Sequence, residues 1–139
     1  MGLNTKKIDH IGIAVKSIDD KLRLYRDILG LKISNVEELK DRGLKVCFLN
    51  IGDSKLEFLE PISDNSEVSK FLEKRGEGIH HIAFYVDDIE KVVESCEKSG
   101  FKVVSGIERG AEGKKVAFLH PKSTGGVLIE LVEDNEAKE

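Results

Sequence analysis

Two histidines and two glutamates recur in matched settings along this chain, and these residue types hold divalent cations and move protons. His10 lies in DHIGIAVKSI (9–18) and His81 in HHIAFYVDDI (80–89), which align without gaps at an offset of 71 residues. Glu57 lies in LEFLE (56–60) and Glu130 in IELVE (129–133), at an offset of 73. Between them, Gly30-Leu31-Lys32-Ile33 matches Gly100-Phe101-Lys102-Val103, and Lys45-Val46-Cys47-Phe48-Leu49 matches Lys115-Val116-Ala117-Phe118-Leu119, both at offset 70. Four matched blocks in one order mark an internal repeat. The repeat separates His10 and His81 from an ordinary structural histidine, because each supports the reading of the other.

The elements that must position these residues follow from the same repeat. Each half reads as strand, helix and three strands. The first strand, Ile8 to Val15, is followed by Ser17 as an N-cap and by a helix whose stripe is Ile18, Leu22, Tyr25, Ile28 and Leu29, stopped by Gly30. The second copy has Asp87 or Asp88 as cap, a stripe of Ile89, Val92, Val93 and Cys96, and Gly100 as the stop. Further strands are expected at about 31–37, 44–51 and 55–60, and at about 101–108, 114–119 and 127–132. The segment from Ile62 to Gly76 carries Val68, Phe71 and Leu72 at helical spacing, so a linker (62–77) with one short helix joins modules of about 8–61 and 78–133. A βαβββ unit cannot bury a four-stranded sheet alone. The expected architecture is therefore α+β, one domain of two tandem modules with approximate internal two-fold symmetry, helices outside and a shared concave sheet face inside.

Strand alternation decides which side chains face that inner side. With Ile11, Ile13 and Val15 toward the helices, His10 shares the opposite face with Gly12 and Ala14. With His80, Ile82, Phe84 and Val86 toward the helices, His81 shares the inner face with Ala83 and Tyr85. Leu56 and Phe58 turn Glu57 inward, and Ile129 and Leu131 do the same for Glu130. A glutamate buried in an apolar strand is costly without a partner, and a cation supplies one. Two imidazoles and two carboxylates suit a divalent first-row metal with coordination positions left open.

Other chemistries find less support. Net charge is −4, with 22 basic and 26 acidic residues interspersed, so there is no basic face for a nucleic-acid backbone. No apolar run is long enough to span a bilayer and the start has no signal-peptide core, so a soluble, cytoplasmic protein without membrane partners is expected. Cys47 and Cys96 match no zinc or redox spacing and read as buried free thiols. His80 and His120 read as structural, Glu60 and Glu133 as solvated or strand-edge carboxylates. Gly125-Gly126 lacks the context of a nucleotide-binding loop.

The segments KIDHIGIAVKSID, YRDILGLKI, FLEKRGEGIHHIAFYVDDIE and GKKVAFLHPKSTGGVLIELVE resemble the vicinal oxygen chelate superfamily, and within it the methylmalonyl-CoA epimerase family, over nearly the whole chain. The resemblance implies His10, Glu57, His81 and Glu130 as ligands of one divalent cation, cobalt first, with manganese, nickel, zinc or magnesium as alternatives. It implies methylmalonyl-CoA as substrate, a homodimer, and α-proton removal and return through an enolate, with Glu130 and then Glu57 as the bases. Lys122-Ser123-Thr124 is a candidate CoA contact. Two departures stand out: the family often has glutamine at the position of Glu57, and some members carry a glutamate at the position of Val46. The rival readings are a glyoxalase I acting on a glutathione hemithioacetal, which the paired glutamates suit, a metal-free binding module of the same fold, and an extradiol dioxygenase.

Overall fold

Isoleucines suited to a pleated strand form β1 (Thr5–Ala14), and the polar turn that follows starts a helix. The computed structural model of the chain describes residues 3–133. They fall into two compact units, His10–His80 and residues 3–9 with 81–133, described in turn.

In the unit His10–His80, α1 (Asp19–Leu22) runs on into a π-helical stretch, Arg23–Ile28. Strands β2 (Lys32–Ile33), β3 (Glu37–Leu39), β4 (Leu44–Ile51) and β5 (Ser54–Pro61) follow, then α2 (Glu67–Arg75), the helix expected in the linker. The last strand returns beside the first: β5 pairs parallel with β1 and antiparallel with β4, and β4 carries β2 and β3 antiparallel. Val15, Ile18, Leu22, Cys47, Leu49 and Phe58 form the core, with Ile13, Tyr25 and Leu56 packed on it. Each fully buried aliphatic or aromatic side chain there contributes about 1.5–3 kcal/mol.

The expected helix stripe holds only as far as Tyr25. Ile28 is 67% exposed and Leu29 56%. Leu29 N–H donates to the Leu24 carbonyl, five residues back, so the turn holds more than 3.6 residues and later positions rotate off the core.

In the unit of residues 3–9 and 81–133, β6 (Gly78–Val86, which begins in the other unit) leads into α3 (Ile89–Lys98), β7 (Glu108–Arg109), β8 (Lys115–Leu119) and β9 (Ile129–Glu133). Again the last strand pairs parallel with the first, β9 with β6, while β8 lies antiparallel to β9 and β7 to β8. Val86, Ile89, Val93, Ala117 and Leu131 pack on the α3 side, and Ala83, Val116 and Val132 pack with Phe118 on the other. Asp88 Oδ1 caps α3 by accepting from Lys91 N–H at 3.2 Å, as expected. The strand expected at about 101–108 is reduced to a bridge between Val103 and Leu119 and the short β7. Ser105 and Gly106, at φ 61° and 77°, turn the backbone out of the extended region between them.

Glu60 and Glu133 are not solvated edge carboxylates. Glu60 Oε1 accepts from Ile18 N–H at 2.7 Å at the start of α1, and Glu133 Oε1 accepts from Ile89 N–H at 2.7 Å at the start of α3. Both satisfy a helix-start donor that has no partner in its own helix, and both place negative charge at the positive end of a helix. At the first helix this bond is shorter than the expected Ser17 cap, whose Oγ accepts from Asp20 N–H at 3.4 Å. Glu133 is fully buried, whereas Glu60 is part-exposed and pairs with Lys45 at 3.4 Å. Glu133→Ala should therefore lower unfolding free energy by about 1–3 kcal/mol and Glu60→Ala by less, as read by chemical denaturation.

Glu77, just ahead of β6, closes the turn after β1. Its Oε2 accepts from Lys16 N–H at 2.8 Å and its Oε1 pairs with Lys21 Nζ at 2.7 Å. The Lys16 N–H bond, then the Lys21 ammonium, hold its carboxyl below the ordinary value of 4.5. A carboxyl depressed on folding stabilises fully above its unfolded pKa and loses that contribution as pH falls through its folded pKa. Glu77→Gln should thus be less stable than the parent by under about 1 kcal/mol at neutral pH. The gap between the two thermal melts should shrink below pH 4.5 and close in stronger acid.

Candidate functional site

The parallel pairing of β1 with β5 sets Gly12 beside Glu57 and Ile13 beside Phe58. Phe58 is in the helix-side core, so Glu57 leaves the opposite face, together with His10. His10 Nε2 lies 3.2 Å from Glu57 Oε1, and the two residues are 4% and 5% exposed. On the other side of Glu57, β4 places Phe48 opposite it, and the Phe48 ring meets the His10 ring edge-on with centroids 5.6 Å apart. Gly12 leaves space on one flank of the carboxylate and Phe48 walls the other.

The other unit repeats this arrangement with different residues. Ala83 stands beside Glu130 on β6, and Phe118 stands opposite it on β8. His81 Nε2 lies 2.9 Å from Glu130 Oε1, with residue exposures of 4% and 6%. His81 and Phe118 meet edge-on at 6.0 Å. The alternation read from the sequence therefore holds at all four positions, and each unit brings its own histidine and glutamate into contact.

The remaining candidates have other tasks. His80 turns away from His81 and packs its ring against Phe71 of α2, with centroids 5.0 Å apart. His120 Nδ1 accepts from Lys122 N–H at 3.0 Å and caps a short turn. Ser123 Oγ accepts from Lys102 N–H at 3.0 Å and ties its turn to the segment after α3, while the Thr124 hydroxyl donates to the Val127 carbonyl within its own loop. Cys47 is buried in the helix-side core, and burial, with Glu57 and Glu60 nearby, pushes its thiol up to about 11. Cys96 is half-buried, not buried as expected.

Three residues of this face were not singled out from the sequence. Phe48 and Phe118 were within reach, since they occupy matching places in the repeat and alternation puts both on the glutamate side. Lys55 was not: its register partner on β1 is His10, and its ammonium lies 4.7 Å from the Phe48 ring centroid. Lysine in a strand reads by default as solvent-facing. Val46 is fully buried, two residues before Phe48 and thus on the same face.

Residues 9–118 match the family described as Glyoxalase/Bleomycin resistance protein/Dioxygenase superfamily. The chain belongs to that superfamily. It is 39% identical to the mitochondrial methylmalonyl-CoA epimerase of Mus musculus, over 90% of this chain and 71% of that one. Among solved structures, a hypothetical protein from Bacillus halodurans C-125 superposes with a TM-score of 0.91 at 46% identity, covering 97% of this chain and 96% of that one. A methylmalonyl-CoA epimerase in complex with methylmalonyl-CoA and ammonium superposes with a TM-score of 0.92 at 36% identity, covering 96% and 98%. The α+β fold read from the repeat is that of these epimerases.

The donor chemistry fits a metal. Each unit offers one imidazole nitrogen and one carboxylate oxygen from buried residues, and such a nitrogen-and-oxygen set suits first-row divalent ions. If ionised, a carboxylate buried to this degree needs positive charge beside it, which a bound cation would supply.

Proposed function

We propose that the chain is an epimerase interconverting the two epimers of methylmalonyl-CoA, with His10, Glu57, His81 and Glu130 as ligands of one divalent cation. The observation that carries this reading is the buried imidazole–carboxylate pair in each unit of a chain whose relatives include methylmalonyl-CoA epimerases. A divalent cation bound there would act as a Lewis acid on the thioester carbonyl and make the neighbouring α-proton more acidic.

The protein's own part is to hold and move that proton. His10 and His81 supply neutral donors through Nε2, while Glu57 and Glu130 supply negative charge and proton-accepting oxygens. Epimerisation needs one base to take the α-proton and a second to return it on the other face. Glu130 is the first choice for such a base and Glu57 the second, each serving one epimer. Phe48 and Phe118, edge-on to the two imidazoles, keep water from the carboxylates and so strengthen their electrostatic effect. Val46, where some relatives carry a glutamate, contributes no proton. Cobalt as the native ion and a homodimer belong to the same reading and rest on the resemblance, and a cytoplasmic location is part of it on the sequence pattern; among the described residues, no helix is long and apolar enough to cross a membrane. One feature favours a second reading: Glu57 gives this chain paired glutamates, which suit a glyoxalase I.

The deciding experiment is incubation with methylmalonyl-CoA in deuterium oxide, following α-deuterium uptake and chirality, beside an assay with the hemithioacetal of methylglyoxal and glutathione. Exchange and loss of chirality in the thioester are expected. Turnover of the hemithioacetal alone would overturn the epimerase reading. Metal content provides a separate check. His81→Gln should lose most of its bound divalent metal, whereas His80→Gln should retain it, as measured by elemental analysis after loading and desalting.

Glu57→Gln tests the division of labour between the bases. Glutamine retains a ligand oxygen, so metal should stay, while one direction of proton transfer should fall by about 10²–10⁴-fold. The variant should then still wash deuterium into one epimer without converting it to the other. Epimerisation at the parent rate would reduce Glu57 to a metal ligand.

A further inference from the structure

Lys55 is a cation on the ligand face with no task in the proton-transfer scheme. It precedes Glu57 by two residues on β5, which puts both side chains on one face of the strand, and its register partners are His10 on β1 and Asn50 on β4. Its ammonium lies over the Phe48 ring, 4.7 Å from the centroid, and the same ring meets His10 at 5.6 Å. Phe48 thus sits between a lysine and a metal-ligand candidate, and a cation over an aromatic face is held by the ring quadrupole. Lys45, the other lysine on the neighbouring strand, leaves the opposite face and pairs with Glu60 at 3.4 Å.

A malonyl-type thioester differs from a simple acyl thioester by one carboxylate on the reacting carbon. A compact ammonium beside the Glu57 pair suits that group by charge, and a half-buried setting makes such a contact stronger than it would be in water. Resting on the epimerase reading, we propose that Lys55 is a specificity-determining residue that reads the free carboxylate of the acyl group, and so selects malonyl-type thioesters over their uncharged counterparts. Coenzyme A also carries anionic groups, its phosphates. The two sources are separable, because a phosphate contact would serve every coenzyme A thioester alike.

The test compares malonyl-CoA with propionyl-CoA, the same carrier with and without the carboxylate, by calorimetric titration of the metal-loaded, full-length protein. In Lys55→Met, malonyl-CoA affinity should fall by about tenfold to a hundredfold, with propionyl-CoA affinity held within about twofold. Lys55→Arg should keep most of the preference. Metal content and circular dichroism of each variant establish that the fold and the ligand set persist, and Lys55→Gln replaces the methionine variant if that one fails to fold. Equal weakening of both thioesters would assign Lys55 to the phosphates and overturn the proposal, as would unchanged discrimination. Deuterium exchange by the parent protein is scored alongside. Its absence would sink the epimerase reading, whereas exchange with unaltered discrimination would sink only the role of Lys55.

Discussion

Burying a carboxylate in an apolar strand is the constraint on which both units are built. Glu57 stands between Leu56 and Phe58, and Glu130 between Ile129 and Leu131, so each lies within a run that belongs in a core. An ionised carboxylate loses several kcal/mol of hydration there unless positive charge meets it. In each unit the neighbouring parallel strand answers with an imidazole about one hydrogen bond away. This answer works in one register only. A slip of one residue between β1 and β5 would send Glu57 into the helix-side core and bring Phe58 onto the ligand face. Phe58, Leu49 and Val15 prevent the slip by packing under α1, so the hydrophobic core holds the polar pair in place without touching it.

The glutamate strands do a second job that alternation makes possible. Residues three apart on a strand leave opposite faces. Glu57 and Glu130 take one face, while Glu60 and Glu133 take the other and accept the first helical N–H groups of α1 and α3. One short strand therefore fixes a candidate ligand and pins the helix that covers its back. The arrangement ties the position of each buried glutamate pair to a helix terminus through a charge-assisted hydrogen bond, a stiffer link than apolar contact, which tolerates sliding. It also explains why a charged residue closes both strands when an apolar one would bury as well.

Much of this was legible in the sequence because strand period and internal repetition test each other. A histidine or a glutamate alone is ambiguous. Two of each in matched contexts, with a small residue two places beyond each histidine, fix the face on which they meet. The sequence was silent where the answer depends on distant partners or on backbone shape. Glu60 and Glu133 look like edge carboxylates until the helix start above them is seen. Ile28 and Leu29 fit a 3.6-residue period that the π-helical stretch abandons after Tyr25. The segment after Gly100 has strand composition, but Ser105 and Gly106 break it with positive φ. Lys55 escaped notice because its location over Phe48 follows from strand pairing, which local pattern does not reveal.

The distribution of titratable groups bears on how protons would travel under the epimerase reading. Val46 is fully buried where some relatives have a carboxylate, so that route is closed by an apolar side chain. Cys47 lies next to it in sequence but faces the helix side, and its thiol is pushed up to about 11, far too high to serve as a base near neutrality. Under that reading His10 and His81 would hold the cation through Nε2, so that nitrogen is not available as a base. Among the described residues, the buried carboxylates on this face are those of Glu57 and Glu130, while Glu37, opposite Val46 on β3, adds a half-buried one. A chain lacking the extra carboxylate therefore does best with a carboxylate, not an amide, at position 57: a glutamine there could hold a cation but could not accept a proton. Under the epimerase reading, the charge at position 57 would offset the apolar residue at position 46, and the two departures from the family pattern would then belong together.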